Sequence, residues 1–234
     1  MPDLKNRSEH EQRLAQELAT LGAAWKTRIT AVAGDPPNVN RIPETLWAEM
    51  ETAYRDKLAA AMLVVYLLAY QGNAGDIGAD YGEQAATAAG AVYAGSRAEV
   101  VAKGSVDGFA DRLAARAAPA GAADKQPGEL LASDIDETLE ADRSDVIATT
   151  ETTAATSAGE RGAVDSQDKL LEAVWFTEAD SLVCPICRPL HGRPQSEWPQ
   201  EILLLPDLGP PAHPNCRCWL TWRAIDNPAL TGAA

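Results

Sequence analysis

The chain has 234 residues, with 20 basic and 34 acidic side chains and a formal net charge of −14. That length can bury a real core, and a hydrophobic fraction of 46% excludes wholesale disorder. The charge balance argues against non-specific wrapping of nucleic acid, which depends on many Lys and Arg contacts to phosphate.

Taken in chain order, Ser8 and Glu11 have the spacing of a capping box. Apolar residues then recur at Leu14, Leu18, Leu21, Trp25, Ile29 and Val32, which predicts an amphipathic helix over 9–32, ended by Gly34, Pro36 and Pro37. Pro43 suits the first turn of a second helix over 44–70. Its first half is amphipathic (Leu46, Trp47, Met50, Tyr54, Leu58) and its second half apolar all round, so that half is expected to be buried or to pack on a partner. The longest apolar run, Leu58 to Tyr70, has 13 residues. A membrane span needs roughly 18, so no membrane is expected. The first residues hold no apolar signal core, so export is not expected either.

Residues 72–95 are rich in glycine but lack Gly-Lys-Ser/Thr and a preceding strand. They read as close helix packing, or a loop followed by a helix, rather than a phosphate loop. A further helix is predicted over 97–117. Arg116 to Gly128, with two prolines and two glycines, is the best linker. It divides the chain into a helical region, 1–126, and a second module, 127–234. In that module a helix is predicted over 140–157, with Gly159 to Gly162 as a break. Ala173–Thr177 and Trp219–Trp222 have strand composition. Residues 127–182 carry 14 acidic and 3 basic side chains, a net of −11. Within them Asp134, Asp136, Glu137, Glu140 and Asp142 read as a solvated acidic face or a surface for a basic partner, ahead of a cation site.

All four cysteines fall between 184 and 218, which points to one local site in a reducing compartment. Cys184-Pro-Ile-Cys187 has the two-residue spacing of a zinc knuckle, and His213-Pro-Asn-Cys216-Arg-Cys218 follows 25 residues later. Five candidates thus compete for the four positions of tetrahedral zinc. Cys184, Cys187, His213 and Cys218 are the preferred set, with Cys216 as the rival to Cys218 and an all-cysteine set as a third option. In an extended Cys-Arg-Cys segment both sulfurs share a face, so spacing alone does not rank them. A closed site would staple a proline-rich segment with little core of its own. Two disulfides or unligated buried thiols are the alternatives. Arg188 and Arg217 are placed to offset thiolate charge, and Trp175, Trp198, Trp219 and Trp222 to pack around the site. His191 reads as a turn residue and His10 as solvated.

Enzyme patterns fit poorly. The histidine follows the Pro-Cys-x-x-Cys that it precedes in zinc deaminases, a His-Cys nuclease needs more than the three histidines present, and His-Glu-x-x-His is absent.

Three segments together resemble the phage Mu F-like family of head morphogenesis proteins. They are Arg143-Ser-Asp-Val-Ile-Ala-Thr-Thr-Glu151, then Trp175 through Cys184-Pro-Ile-Cys187 to Leu190-His-Gly192, and last Pro210-Pro-Ala-His213-Pro-Asn-Cys216-Arg-Cys218. The resemblance covers residues 140–225. Thr149 departs from it, standing where the family usually has arginine. The predicted elements and the cysteine cluster give an α+β protein: a mainly helical N-terminal region and a small C-terminal module with short strands closed by a Cys/His zinc site. The resemblance implies a non-enzymatic minor head protein of the virion, present in host cytoplasm during assembly. It would act beside the portal or major capsid protein, with a role in DNA packaging or ejection. The rival is a metal-dependent nuclease or transferase using His213, Asn215 or Glu151.

Overall fold

A computed structural model describes residues 4, 6–117, 128–139, 142–167, 170–178, 183–199 and 209–225. Among the described residues, five α-helices and two strands follow in order: α1 (Arg7–Ala33), α2 (Glu44–Asp76), α3 (Glu83–Ala117), α4 (Ala132–Leu139), α5 (Asp142–Asp165), β1 (Leu171–Phe176) and β2 (Trp219–Ala224). The protein is thus mostly helical with a small two-stranded sheet towards its C-terminus.

Tertiary contacts sort the chain into two compact units, and each is woven from separated segments. One holds residues 12–61 and 94–145, the other residues 1–11, 62–93 and 146–234. They do not follow the sequential division at 126/127, because α2 and α3 each contribute residues to both units.

In the unit of residues 12–61 and 94–145, helical spacing of apolar residues builds the core. Leu14, Leu18, Trp25 and Ile29 of α1 are buried, as are Leu46, Met50, Tyr54 and Leu58 of α2. Val32, placed on the same stripe by its spacing, is exposed, and Ala33 is buried instead. Tyr54 meets Phe109 of α3 edge-on at 6.4 Å. Three of the five acidic candidates make ion pairs. Asp134 accepts from the Leu131 N–H and pairs with Arg116, Glu137 pairs with Arg116, and Asp136 pairs with Lys26. Glu140 and the side chain of Asp142 lie outside the described residues, as do residues 118–127 of the expected linker.

In the other unit, α5 is the central element. Residues 151–160 are buried without interruption, so this helix is packed on every side. The expected break at Gly159–Gly162 is not there, and α5 runs on to Asp165. The glycines serve a close helix crossing instead. A methyl group at Gly159 would fall on the Tyr66 carbonyl oxygen of α2, and one at Gly162 on the Tyr66 hydroxyl. Asn73, also buried, donates from Nδ2 to the Glu160 carbonyl at 2.8 Å. Helix α2 is long and apolar enough to cross a membrane by length and composition. Its Met62, Val65, Tyr66, Ala69 and Tyr70 are nonetheless buried, while Val64 and Leu68 are exposed, so it is one-sided rather than covered all round. Gly90 of α3 lies against the Tyr66 ring, and Gly78 makes a turn at φ +63 between α2 and α3. The glycine-rich stretch therefore contains both close packing and a loop.

Strands β1 and β2 pair antiparallel, with Trp175 opposite Leu220 and Glu172 opposite Arg223. The latter is a cross-strand ion pair of 2.9 Å. Residues 192–194 bond to the backbone of Val174 and Trp175. The core of this corner contains Trp175, Leu190, Trp198 and Leu220, and three of its other members are Cys187, Cys216 and Cys218. So small an apolar set stabilises little alone.

Candidate metal centre

Two short segments carry the cysteine and histidine side chains. In the first, residues 184–190 form a tight turn: the Arg188 N–H donates to the Cys184 carbonyl, and the Cys187 N–H reaches Cys184 Sγ at 3.3 Å. A two-residue spacing closed in this way brings both sulfurs to one side. The second segment, 213–218, is bent at Asn215, whose φ of 63 is one that asparagine tolerates better than most residues.

The two segments meet through their side chains. His213 Nε2 lies 2.9 Å from Cys184 Sγ and 3.2 Å from Cys187 Sγ, and Cys187 Sγ lies 3.7 Å from Cys216 Sγ. Two overlapping groups result, Cys184–Cys187–His213 and Cys187–Cys216–Cys218, in each of which all candidate ligand atoms lie within 4.8 Å of one another. All five expected ligands are therefore brought together, with Cys187 common to both groups. The four thiols are free, which leaves the disulfide alternative without support.

The donor set fits a tetrahedral dication. Metal–sulfur bonds of about 2.3 Å at tetrahedral angles put sulfurs about 3.8 Å apart, close to the Cys187–Cys216 separation. The sulfur–nitrogen separations are shorter than the roughly 3.5 Å of such a site, so His213 would move outward slightly on loading. His213 Nδ1 faces the Pro214 carbonyl at 2.7 Å. That oxygen only accepts, so Nδ1 carries the proton and Nε2 turns its lone pair towards the sulfurs, as in a metal-ligating imidazole. A cavity of about 30 Å³ opens among Cys184, Cys187, His213, Cys216 and Cys218.

Crowded sulfurs cannot all ionise without a cation. Hydrogen bonding to Cys216 and Cys218, added to burial, pushes the Cys187 thiol far up. Cys216 goes the other way, because hydrogen bonds from Cys187 and Cys218 hold it as the thiolate. At Cys218, hydrogen bonding with Cys187 lowers the value, but hydrogen bonding to Cys216 and burial outweigh it and leave the thiol at about 12.

Helix α5 supports the second segment. Thr150 Oγ1 accepts from the Asn215 N–H at 2.7 Å, and Thr153 Oγ1 donates to the Cys216 carbonyl at 2.5 Å.

Residues 89–221 match the family described as Phage Mu protein F like protein. The chain belongs to that family. Membership places it among phage head morphogenesis proteins. The matched span begins inside α3, earlier than the resemblance over 140–225, and it includes all of α5, β1 and the five candidate ligands. No curated protein and no solved structure matches the chain.

The remaining expected residues are placed as follows. His191 is outside the cluster: its Nδ1 accepts from the Thr177 N–H at 3.2 Å and its ring lies edge-on to Phe176. Trp175 and Trp198 are buried beside the cysteines and meet edge-on at 5.3 Å, and Trp222 packs on the same core. Trp219 stacks on Phe176. Arg188 donates to the Val183 carbonyl, and Arg217 lines the cavity. Glu151 is buried in α5 and is not among the cavity's lining residues. The sequence reading missed Arg7, whose guanidinium is buried at 5% exposure and donates to the carbonyls of Cys216, Arg217 and Cys218. Arg7 sits in a run of charged residues, where nothing in the local pattern marks it for burial.

Proposed function

We propose that this Mu F-like protein is a non-enzymatic minor head component whose C-terminal module is held rigid by one structural zinc. The observation that carries the reading is the size and lining of the site. Four thiols and an imidazole converge on a cavity of about 30 Å³, whereas a small-molecule pocket occupies roughly 300 Å³ or more. Such a space suits an ion. Thiolate and imidazole donors select zinc over hard cations. When bound, the ion would supply the local cohesion that the small core around Trp175 and Leu220 lacks. We assign the ligands as Cys184, Cys187, His213 and Cys216. Cys216 is preferred over Cys218 because its sulfur already stands at a tetrahedral edge length from Cys187. The protein would act at the portal or the major capsid protein during head assembly, in host cytoplasm and then in the virion.

The experiment is elemental mass spectrometry of purified phage particles and of the isolated chain prepared without chelator. The reading expects the protein in particles at low copy and close to one zinc per chain. Particles that lack the protein would overturn the assembly role. A metal-free chain with its thiols reduced would overturn the zinc site.

A further inference from the structure

We infer that Arg7 is a positioning residue of the metal centre, so that metal binding and docking of residues 6–11 form one linked equilibrium. The inference rests on the metal reading above and extends it to a residue outside the matched family span, since Arg7 lies 82 positions before residue 89.

Arg7 is 5% exposed, and a buried charge is tolerated only when its donors are met. Arg7 Nε donates to Glu11 Oε1 at 2.9 Å, one helical turn along α1. Nη1 points at the carbonyls of Arg217 and Cys218, at 3.4 and 3.3 Å. Nη2 points at the carbonyl of Cys216, at 3.4 Å, and at Thr153 Oγ1. Three successive carbonyls of the segment that carries Cys216 and Cys218 are therefore collected by one planar fork. Lysine has no such geometry.

Thr153 completes the arrangement. Its hydroxyl receives a hydrogen bond from Arg7, and its single proton is shared between the Cys216 carbonyl at 2.5 Å and the Thr149 carbonyl at 2.8 Å. The backbone on either side of the Cys216 ligand is thus fixed from α5 and from the start of α1 together. With its carbonyls turned to Arg7, the segment presents its sulfurs towards Cys187. The guanidinium also brings a positive charge to a site whose thiolates exceed the charge of a dication.

Linkage gives the consequence. If Arg7 holds the segment in its ligand-presenting form, that form binds the ion more tightly, and the ion in turn holds residues 6–11 in place. A residue that only stabilised the fold would lower the unfolding temperature of the metal-free and metal-loaded chain alike and leave metal affinity unchanged.

The test uses the full chain. Zinc affinity is measured by competition with a chromophoric chelator, and the ligand set is checked through the sulfur-to-metal charge-transfer band with cobalt. Arg7→Ala is expected to lose about tenfold or more in zinc affinity while showing the wild-type cobalt band at saturation. Arg7→Lys is expected to recover part of the loss, and Thr153→Val to lose affinity in the same direction. In the wild type, trypsin cleavage after Arg7 is expected to be about tenfold slower with zinc than with chelator. That comparison stands even if a variant fails to fold. An Arg7→Ala affinity within twofold of wild type, or cleavage at Arg7 indifferent to zinc, overturns the inference and leaves the metal site intact. A wild-type chain that takes up no zinc overturns both.

Discussion

The hydroxyl of Thr150, two turns into α5, accepts a 2.7 Å hydrogen bond from the backbone N–H of Asn215 while donating its own proton to the Val146 carbonyl. The acceptor is thereby polarised towards the one residue of the 213–218 segment with positive φ. Thr150→Val keeps the shape and removes the acceptor. It is expected to cost about 1–2 kcal/mol in urea unfolding of the metal-loaded chain, because the Asn215 N–H is left without its partner. Zinc affinity should fall with it, and Thr150→Ser should retain both. Equal stability of Thr150→Val and wild type would show that the Asn215 bend holds without α5.

What the sequence revealed, and what it hid, divides along physical lines. The apolar spacing of Leu14, Leu18, Trp25 and Ile29 announces α1 because a helix writes its buried face into its own residues. The cysteine cluster is legible for a similar reason, since ligand type and spacing are local. Gly159 and Gly162 were misleading because glycine both ends helices and lets them approach, and the choice depends on Tyr66, far off in sequence. Arg7 was invisible because its partners are backbone carbonyls more than 200 residues away. A carbonyl carries no mark of the residue that will bind it. The interleaved units were hidden likewise: α2 turns from amphipathic to apolar near residue 61, where it passes from one unit to the other, but that change does not say which distant segments join each half.

The Gly159 crossing separates two kinds of helical glycine. A methyl group at Gly159 would strike the backbone oxygen of Tyr66, which cannot swing aside. Gly159→Ala is expected to destabilise by roughly 3 kcal/mol through helix displacement. At Gly104 of α3 nothing lies within 4 Å of an added Cβ. Gly104→Ala should stabilise by about 0.5–1 kcal/mol, the ordinary helical gain of alanine over glycine. Denaturant unfolding of the two variants should therefore shift in opposite directions, and a shared direction would refute the close crossing.

Burial of Tyr54 makes stability depend on alkaline pH. Its phenol is pushed up from 10.0 to about 12 by desolvation alone. The folded chain thus keeps a proton that the unfolded chain gives up near pH 10. The stabilisation is complete below pH 10 and is lost as pH rises from about 10 to about 12, by up to roughly 2–3 kcal/mol. Tyr54→Phe cannot ionise and should flatten that limb relative to wild type. Parallel stability curves for the two proteins between pH 9 and 12 would show that the ring is hydrated in the native state.

The choice between Cys216 and Cys218 can be made by removing each sulfur in turn. Cys216 Sγ lies 3.7 Å from Cys187 Sγ, its thiolate is the favoured ionised form in the cluster, and the Cys216 carbonyl is gripped by Thr153 and Arg7. Cys218 is held as the thiol and shares its core with Trp175. Cys216→Ser is therefore expected to lose zinc affinity by at least about 100-fold and to lose the three-sulfur cobalt band. Cys218→Ser should bind close to one zinc per chain, with a loss of about 1–2 kcal/mol in stability from placing a hydroxyl in an apolar core. Loading of the wild type must expel the Cys187 proton, whose thiol is strongly raised, so affinity should weaken as pH falls. If Cys218→Ser abolishes binding and Cys216→Ser does not, Cys218 is the fourth ligand, and the 3.7 Å approach of Cys216 Sγ to Cys187 Sγ does not mark the ligand.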